Sequence, residues 1–469
     1  MLYCKFVSMC FSLIIQTFLI DTESILQILY DTHMKITASY SVAFKGGYDA
    51  IKKTTVIYNE SVRYLTDVVH QHWDEIEKID QSKLRMNYVE RLVHNTKYNH
   101  ALYDFDVVFP KYPTYFRRNA IMTAIGIVSA YMSAIDNWVA DECKGSMPKM
   151  DTAVHQMPCF YHGNCFRNMT DDTAEIKVFR NNDWVWQKVR LNHSDLKYLK
   201  KKAPVEKWSA PSLVKKHGGY ELRFTVKKNV VLSSKPVFEQ KACAVDLGIT
   251  TDATCSVIDV HGTVLSRKFI NCGREKDSVY NALHRVSDFQ KEHGSHDSGR
   301  LWNIAKRRNL NLAHMVAHRI VDYAIANDCD VIVMEHLDTK GRKHGSKCQK
   351  LTMWKHADIQ NTVESLAHQY GIRVSCVCAW NTSRLAYDGS GMVNRGRYVS
   401  ESTPYDMCKF QTGKMYNCDL SASYNIGARY FIRELIKEVP DIMTEVSDIG
   451  SGTTRTLSTL WHINSVMSI

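Results

Sequence analysis

The sequence lacks the regular cysteine spacing of a disulfide scaffold. Its 14 Cys fall inside apolar stretches (Cys243, Cys255, Cys376, Cys378) or singly in loop-like ones. Small secreted scaffolds are shorter and denser in Cys. The chain is therefore read as intracellular, with reduced thiols. It also lacks any compositional extreme: charged residues make 23% and hydrophobic ones 45% of 469 residues, which excludes a disordered or fibrous class. That length suits two to four domains. The first apolar run, FVSMCFSLIIQTFLI at 6–20, is 15 residues, short of the ~20 a spanning helix needs. The first Ala is Ala38, so no A-x-A-like cleavage site follows the run. Residues 1–33 are expected to be an upstream extension from a mis-chosen start, Met34 opening a cleaner one; a membrane anchor is the alternative. What is present is a cationic excess, 60 Lys and Arg against 49 Asp and Glu, net +11. It suits a polyanionic partner such as nucleic acid.

Periodicity divides the chain. Alternation over 34–44 predicts a strand, and apolar residues at helical spacing predict a helix over 48–78. A second helix is expected from about 114 to 138, with Arg117 and Arg118 near its start. They are either phosphate contacts or a solvated helix end. Residues 139–172 read as loop. Strands are expected at 174–191, with Asn181-Asn182-Asp183 as turn chemistry, and at 209–216 and 219–227. Lys and aromatic residues mix through this block, which suits RNA, although each ring taken singly reads as core. From 240 onward come strands at 242–249, 253–258 and 263–270. A helix over 301–327, a strand at 328–338, a helix at 356–370 and a strand at 373–380 follow. The stretch 386–417 reads as irregular, and 420–437 as an amphipathic helix. This order implies an α/β sheet of mixed direction.

Three acids interrupt that second block. Asp246 sits between Val245 and Leu247, and Glu335 follows VIVM. An ionised carboxylate is expensive in an apolar core, so each is expected at a strand end beside a cleft or a cation. Asp419 precedes the last helix, where Asp is a common N-cap. Singly each has a structural explanation; the inference rests on all three. Three carboxylates can hold two hard divalent ions, Mg²⁺ or Mn²⁺. Such a pair can stabilise both oxygens of an in-line phosphodiester displacement.

AVDLGI at 244–249, VIVMEHLD at 331–338 and DLSASYNIGARY at 419–430 resemble, in order and spacing, the TnpB family of transposon-encoded RNA-guided nucleases. That family is related to compact type V CRISPR effectors. The last segment is similar to its D-x-N-A-A-x-N-I signature through Asp419, Ala422, Asn425 and Ile426, with Ser421 and Ser423 substituted. NTSR at 381–384 resembles the T-S-Q segment before the family's zinc knuckle. The resemblance implies an α/β multi-domain protein with an RNase H/RuvC-like nuclease domain at 240–385 plus 418–437. It also implies a split β-barrel wedge domain at 34–45 plus 173–239, with a helical recognition domain inserted at 46–172. Residues 386–417 would be the knuckle insert and 438–469 a C-terminal tail. Asp246, Glu335 and Asp419 match the catalytic triad positions. A structured guide RNA from the transposon end would pair with target DNA while the protein reads backbone shape and a short flanking motif. No membrane is implied, and the location would be cytoplasmic and nucleoid-associated.

The family's two C-x-x-C pairs are missing. Residues 385–391 hold no Cys, and only Cys408 and Cys418 remain before the last helix. No well-formed zinc knuckle is expected, with a residual site on that pair as the alternative. Tyr398, Tyr405, Phe410 and Tyr416 are expected to pack the insert instead. Lys306, Arg307 and Arg308, with Arg342, Lys343 and Lys347 after Glu335, are the expected phosphate contacts. The leading function is RNA-guided DNA cleavage. The alternatives are guided DNA binding without efficient cleavage and, disfavoured by the large basic N-terminal half, an unguided RNase H-type nuclease.

Overall fold

The computed structural model describes residues 33–150, 156–216, 218–294, 297–337, 353–439 and 454–467. They form two compact units, Thr37–Lys228 and, with the residues before Thr37, Asn229–Ile469. Both mix helices with sheet.

In the first unit β1 (His33–Lys45) passes through Gly46 and Gly47, at φ 104° and 69°, into α1 (Tyr48–Gln71). Next come α2 (Ser82–Val93), α3 (Thr114–Ala140), β2 (Phe166–Arg167), β3 (Thr173–Arg180), β4 (Asp183–Leu191), α4 (His193–Lys202), β5 (Ser212–Lys216) and β6 (Gly219–Val231). The strand order is β2-β3-β4-β1-β6-β5. The first described strand thus lies inside a sheet whose other strands come over a hundred residues later. Between β3 and β4, Arg180 pairs with Asp183, and Asn181 and Asn182 stand at φ 52° and 57°. This is the two-residue left-handed turn that Asn tolerates. Helices α1 and α3 bury Ile51, Tyr58, Val62 and Leu65 against Phe116, Ala120, Ile121 and Ala124. α3 is long and apolar enough to cross a membrane; its N-terminal half is packed in this core. Trp208 is buried here, as expected of core, whereas Trp186 lies under the Arg167 guanidinium at 3.9 Å.

The second unit contains β7 (Lys241–Leu247), β8 (Ala253–Asp259), β9 (Val264–Ile270), α5 (Gly273–His293), α6 (Gly299–Ala326), β10 (Val331–His336), α7 (His356–Gln369) and β11 (Arg373–Cys378). Then come β12 (Asn394–Arg395), β13 (Met407–Lys409), β14 (Met415–Asn417), α8 (Cys418–Glu438) and α9 (Leu457–Met467). The main sheet runs β11-β10-β7-β8-β9, with β11, β10 and β7 parallel and β8 and β9 antiparallel. Strand alternation sorts the side chains. Ala242, Ala244, Val331 and Val333 face the layer of α8 and α9. Cys243, Val245, Ile332 and Met334 face α6 and α7. α8 lies close on the sheet because Gly427 has no side chain. A Cβ there would stand 3.2 Å from Ala244 Cβ and 2.8 Å from Ile258 Cδ1.

The structure departs from the sequence reading in four places. The insert 386–417 is not irregular throughout; β12, β13 and β14 form a small antiparallel sheet. Strands of two or three residues are too short to show a period. Ala386, Cys408, Phe410 and Cys418 make its core with Tyr416 packed on it, but Tyr398 and Tyr405 are each 75% exposed. Helices α2 and α5 were not expected, and each buries only two or three side chains. The stretch expected as a tail carries α9, with Leu457, Leu460 and Ile463 buried in the core.

A candidate acidic active site

The two parallel strands β7 and β10 set the first two acids. Their ladder ends at Met334 opposite Val245. Glu335 and Asp246 are the next residues along, side by side at the carboxyl ends of neighbouring strands. By alternation both point to the α8 face, where the preceding Ala244 and Val333 are buried. Open α/β sheets place their ligands outside such strand ends. Gly248 lets the chain turn immediately after Asp246, since a Cβ there would meet the Thr251 carbonyl oxygen at 2.4 Å.

Asp419 comes from the N-terminal turn of α8, and it is not the cap. Asn417 is, its side-chain oxygen accepting from Asp419 N and Leu420 N at 3.0 Å each. The Asp419 carboxylate is thereby released from capping. It meets Arg395 Nη2 at 3.6 Å instead. Arg395 stands on β12 opposite Cys408 of β13, so the small insert sheet delivers a guanidinium to the acids. Its Nε is buried without a hydrogen-bond partner.

The charges of Glu335 and Asp419 both act on Asp246. Burial pushes Asp246 well above the ordinary carboxylate range; the Glu335 and Asp419 charges push it further, and Arg395 opposes them. Burial raises Glu335, opposed by the Thr382 hydrogen bond and the Arg429 charge. Burial raises Asp419, with Arg395 opposing and Asp406 adding to the rise.

Three side chains outside the expected site hold it in place. Thr382 donates its hydroxyl to Glu335 Oε1. Asn425 Nδ2 donates to the carbonyls of Thr382 (3.0 Å) and Leu385 (2.9 Å), fixing the turn that carries Thr382. Arg429 Nη1 donates to the carbonyls of Cys378 (2.7 Å) and Trp380 (2.9 Å), at the exit of β11. Sequence reasoning matched Thr382 and Asn425 to motifs without assigning them a task. The available signal was their membership of those motifs and, for Asn425, its polarity within the apolar face of the last helix.

The remaining expected site residues are scattered. Arg117 is a correction: only 2% exposed, it pairs with Glu90 (3.4 Å) and Asp106 (3.2 Å) and cannot reach a phosphate. Its two acids lie 11 and 27 residues earlier, outside the helix that carries it, so no helical spacing announced the pairing. Arg118 is half-exposed but also engages Glu90, at 3.0 Å. Lys306 and Arg307 are exposed on α6, whereas Arg308 braces α5 through the Ser278 carbonyl at 3.0 Å. Arg342, Lys343 and Lys347 lie outside the described residues. Cys408 and Cys418 pack together in the insert core, and Cys408 Sγ donates to the Tyr416 carbonyl at 3.4 Å. Among the described residues, no three His, Cys, Asp or Glu side chains are close enough to hold one metal ion as they stand. This bears on both the acids and the thiol pair.

A family model described as the Aq_aa04 family matches residues 36–180. No curated protein matches the chain. Among solved structures, a Cas12f1–sgRNA–target DNA complex aligns with 80% of this chain and 81% of that chain, at 16% identity and TM-score 0.51. At that identity the likeness is one of fold. An AacC2c1–sgRNA complex (82% of this chain, 70% of that chain, 10% identity, TM-score 0.42) is too distant to argue from. So is C2c1 of Alicyclobacillus acidoterrestris with single-guide RNA (82%, 69%, 10%, 0.41).

Proposed function

We propose that the chain is an RNA-guided DNA endonuclease of TnpB type, hydrolysing phosphodiesters at Asp246, Glu335 and Asp419. The carrying observation is the placement of Asp246 beside Glu335 at adjacent parallel strand ends, with the Asp419 charge acting on Asp246. Buried carboxylates that repel one another are poised for a cation. Their hard oxygens fit Mg²⁺ or Mn²⁺, which when bound would activate water and offset charge on the leaving oxygen. The chain's own part is to hold the acids: Thr382 orients Glu335, and Asn417 frees Asp419. The fold is shared with a Cas12f1 whose complex holds guide RNA and target DNA, which supports those two partners here. The transposon origin rests on the motif resemblance.

One observation favours the second reading, guided binding without efficient cleavage: Arg395 already neutralises Asp419, and the acids do not close around one point. Purifying the protein with its bound nucleic acid and sequencing it tests guidance. A single structured RNA species is expected; the absence of co-purifying structured RNA would sink the guided reading. Mg²⁺-dependent cutting of a plasmid matching that RNA separates the two readings.

A further inference from the structure

We propose that the backbone of residues 455–458, at the start of α9, is a positioning strap for Glu335, acting through the Asn425 side chain and the Thr382 turn. The strap makes three main-chain contacts. The Arg455 carbonyl accepts from Arg429 Nε at 3.1 Å. Leu457 N–H donates to Asn425 Oδ1 at 3.2 Å. Ser458 N–H donates to the Tyr387 carbonyl at 2.9 Å. Asn425 is fully buried, so each of its polar atoms needs a partner. The Leu457 amide fixes which way the Asn425 side chain points, oxygen to the strap and nitrogen to the Thr382 and Leu385 carbonyls. Thr382 in turn donates to Glu335. Without the Leu457 amide, Asn425 Oδ1 loses the donor it has among the described residues and the side chain can turn its own donors away from the Thr382 loop. Helix α9 is anchored independently, Trp461 Nε1 donating to the Gly262 carbonyl (3.1 Å) and Asn464 Nδ2 to the Val260 carbonyl (3.0 Å). The strap is therefore held from behind, and its register is set by packing on the sheet.

This inference rests on the acid-site reading above, and its test keeps the two apart. Leu457 is the first residue of α9, a position where proline is tolerated because its N–H has no helical partner. Leu457→Pro removes the amide; Leu457→Ala removes similar packing and keeps it. Ser458→Pro against Ser458→Ala removes the strap's other amide contact, to the Tyr387 carbonyl of the same loop, at a half-buried position, in case loss of the Leu457 side chain unfolds the protein. Two readouts are taken on full-length protein: local amide exchange across 381–386, and Mn²⁺ affinity by calorimetry. The amides of Arg384 and Leu385, each 3.1 Å from the Asn381 carbonyl, report the turn. The proline variants should exchange faster there than their alanine partners, and Leu457→Pro should bind Mn²⁺ about tenfold more weakly than Leu457→Ala. Equal behaviour within each pair overturns the strap, whatever the metal result. If exchange separates the pairs while wild type binds no Mn²⁺, the strap stands and the metal reading fails.

Discussion

Neutralising Asp246 should make the metal-free protein more stable, not less. Asp246 and Glu335 stand on adjacent parallel strands, whose spacing puts the carboxylates about 5 Å apart. Two like charges at that distance repel by about 3 kcal/mol at an effective dielectric of ~20. Asp419 adds to the repulsion and Arg395 offsets part of it. Asp246→Asn keeps the shape and removes the charge, so a net gain of about 1–2 kcal/mol is expected, or roughly 2–8 °C in Tm for a unit of this size. The sign follows from linkage. A carboxyl whose folded pKa is raised holds its proton in the folded state after the unfolded chain has lost it. Stability therefore falls as pH rises between the two values. The advantage of Asp246→Asn should vanish below the ordinary carboxylate range, near pH ~4, and be complete above the raised folded value. Thermal unfolding in EDTA across pH measures this. Millimolar Mg²⁺ should then stabilise wild type and leave the variant unchanged. A wild type more stable than Asp246→Asn in EDTA at neutral pH, or an advantage that persists at low pH, would mean that carboxylate repulsion does not destabilise this site.

Asn417→Ala should cost about 1 kcal/mol of stability and raise the Mg²⁺ needed for activity, because Asp419 is then drawn toward capping. Asn417→Asp should restore both, as urea unfolding and metal titration would show. Arg117→Ala removes a buried guanidinium but leaves Glu90 with Arg118 and Asp106 with His94, so it should cost about 1–3 kcal/mol; the salt dependence of nucleic-acid binding, measured at a temperature where the variant stays folded, should not change. Lys306→Ala and Arg307→Ala should each weaken nucleic-acid binding across sequences and flatten the salt slope by roughly one. An unchanged slope in filter-binding titrations would remove them from the contact surface.

How legible the molecule was depended on length and on partners. β7 and β10 were readable because a lone acid in an apolar strand has few explanations, and the parallel order followed from the intervening helix. The turn at Asn181-Asn182 was readable because few residues accept two positive φ angles in succession. The role of Asp419 was half legible. Its position fits a cap, and only the folded structure shows that Asn417, two residues earlier, takes that work. Arg395 could not be found at all, since nothing in a two-residue strand announces that it will face an acid 24 positions later. Arg117 misled for the same reason: a cation at a helix start looks solvated until its carboxylates are placed. Helix α9 was missed because the sequence before it carries no periodic signal and its buried face spans only three turns.

Whether Asp246, Glu335 and Asp419 form one hydrolytic site can be read from cleavage by the RNA-bound protein. Wild type and the three single alanine variants would be given a plasmid matching the bound RNA, with Mg²⁺ and with EDTA. Wild type should cut in Mg²⁺ alone, all three variants should lose cutting, and plasmid binding should be unchanged. Full cutting by any one of the three variants, or cutting by wild type in EDTA, would contradict a single hydrolytic site.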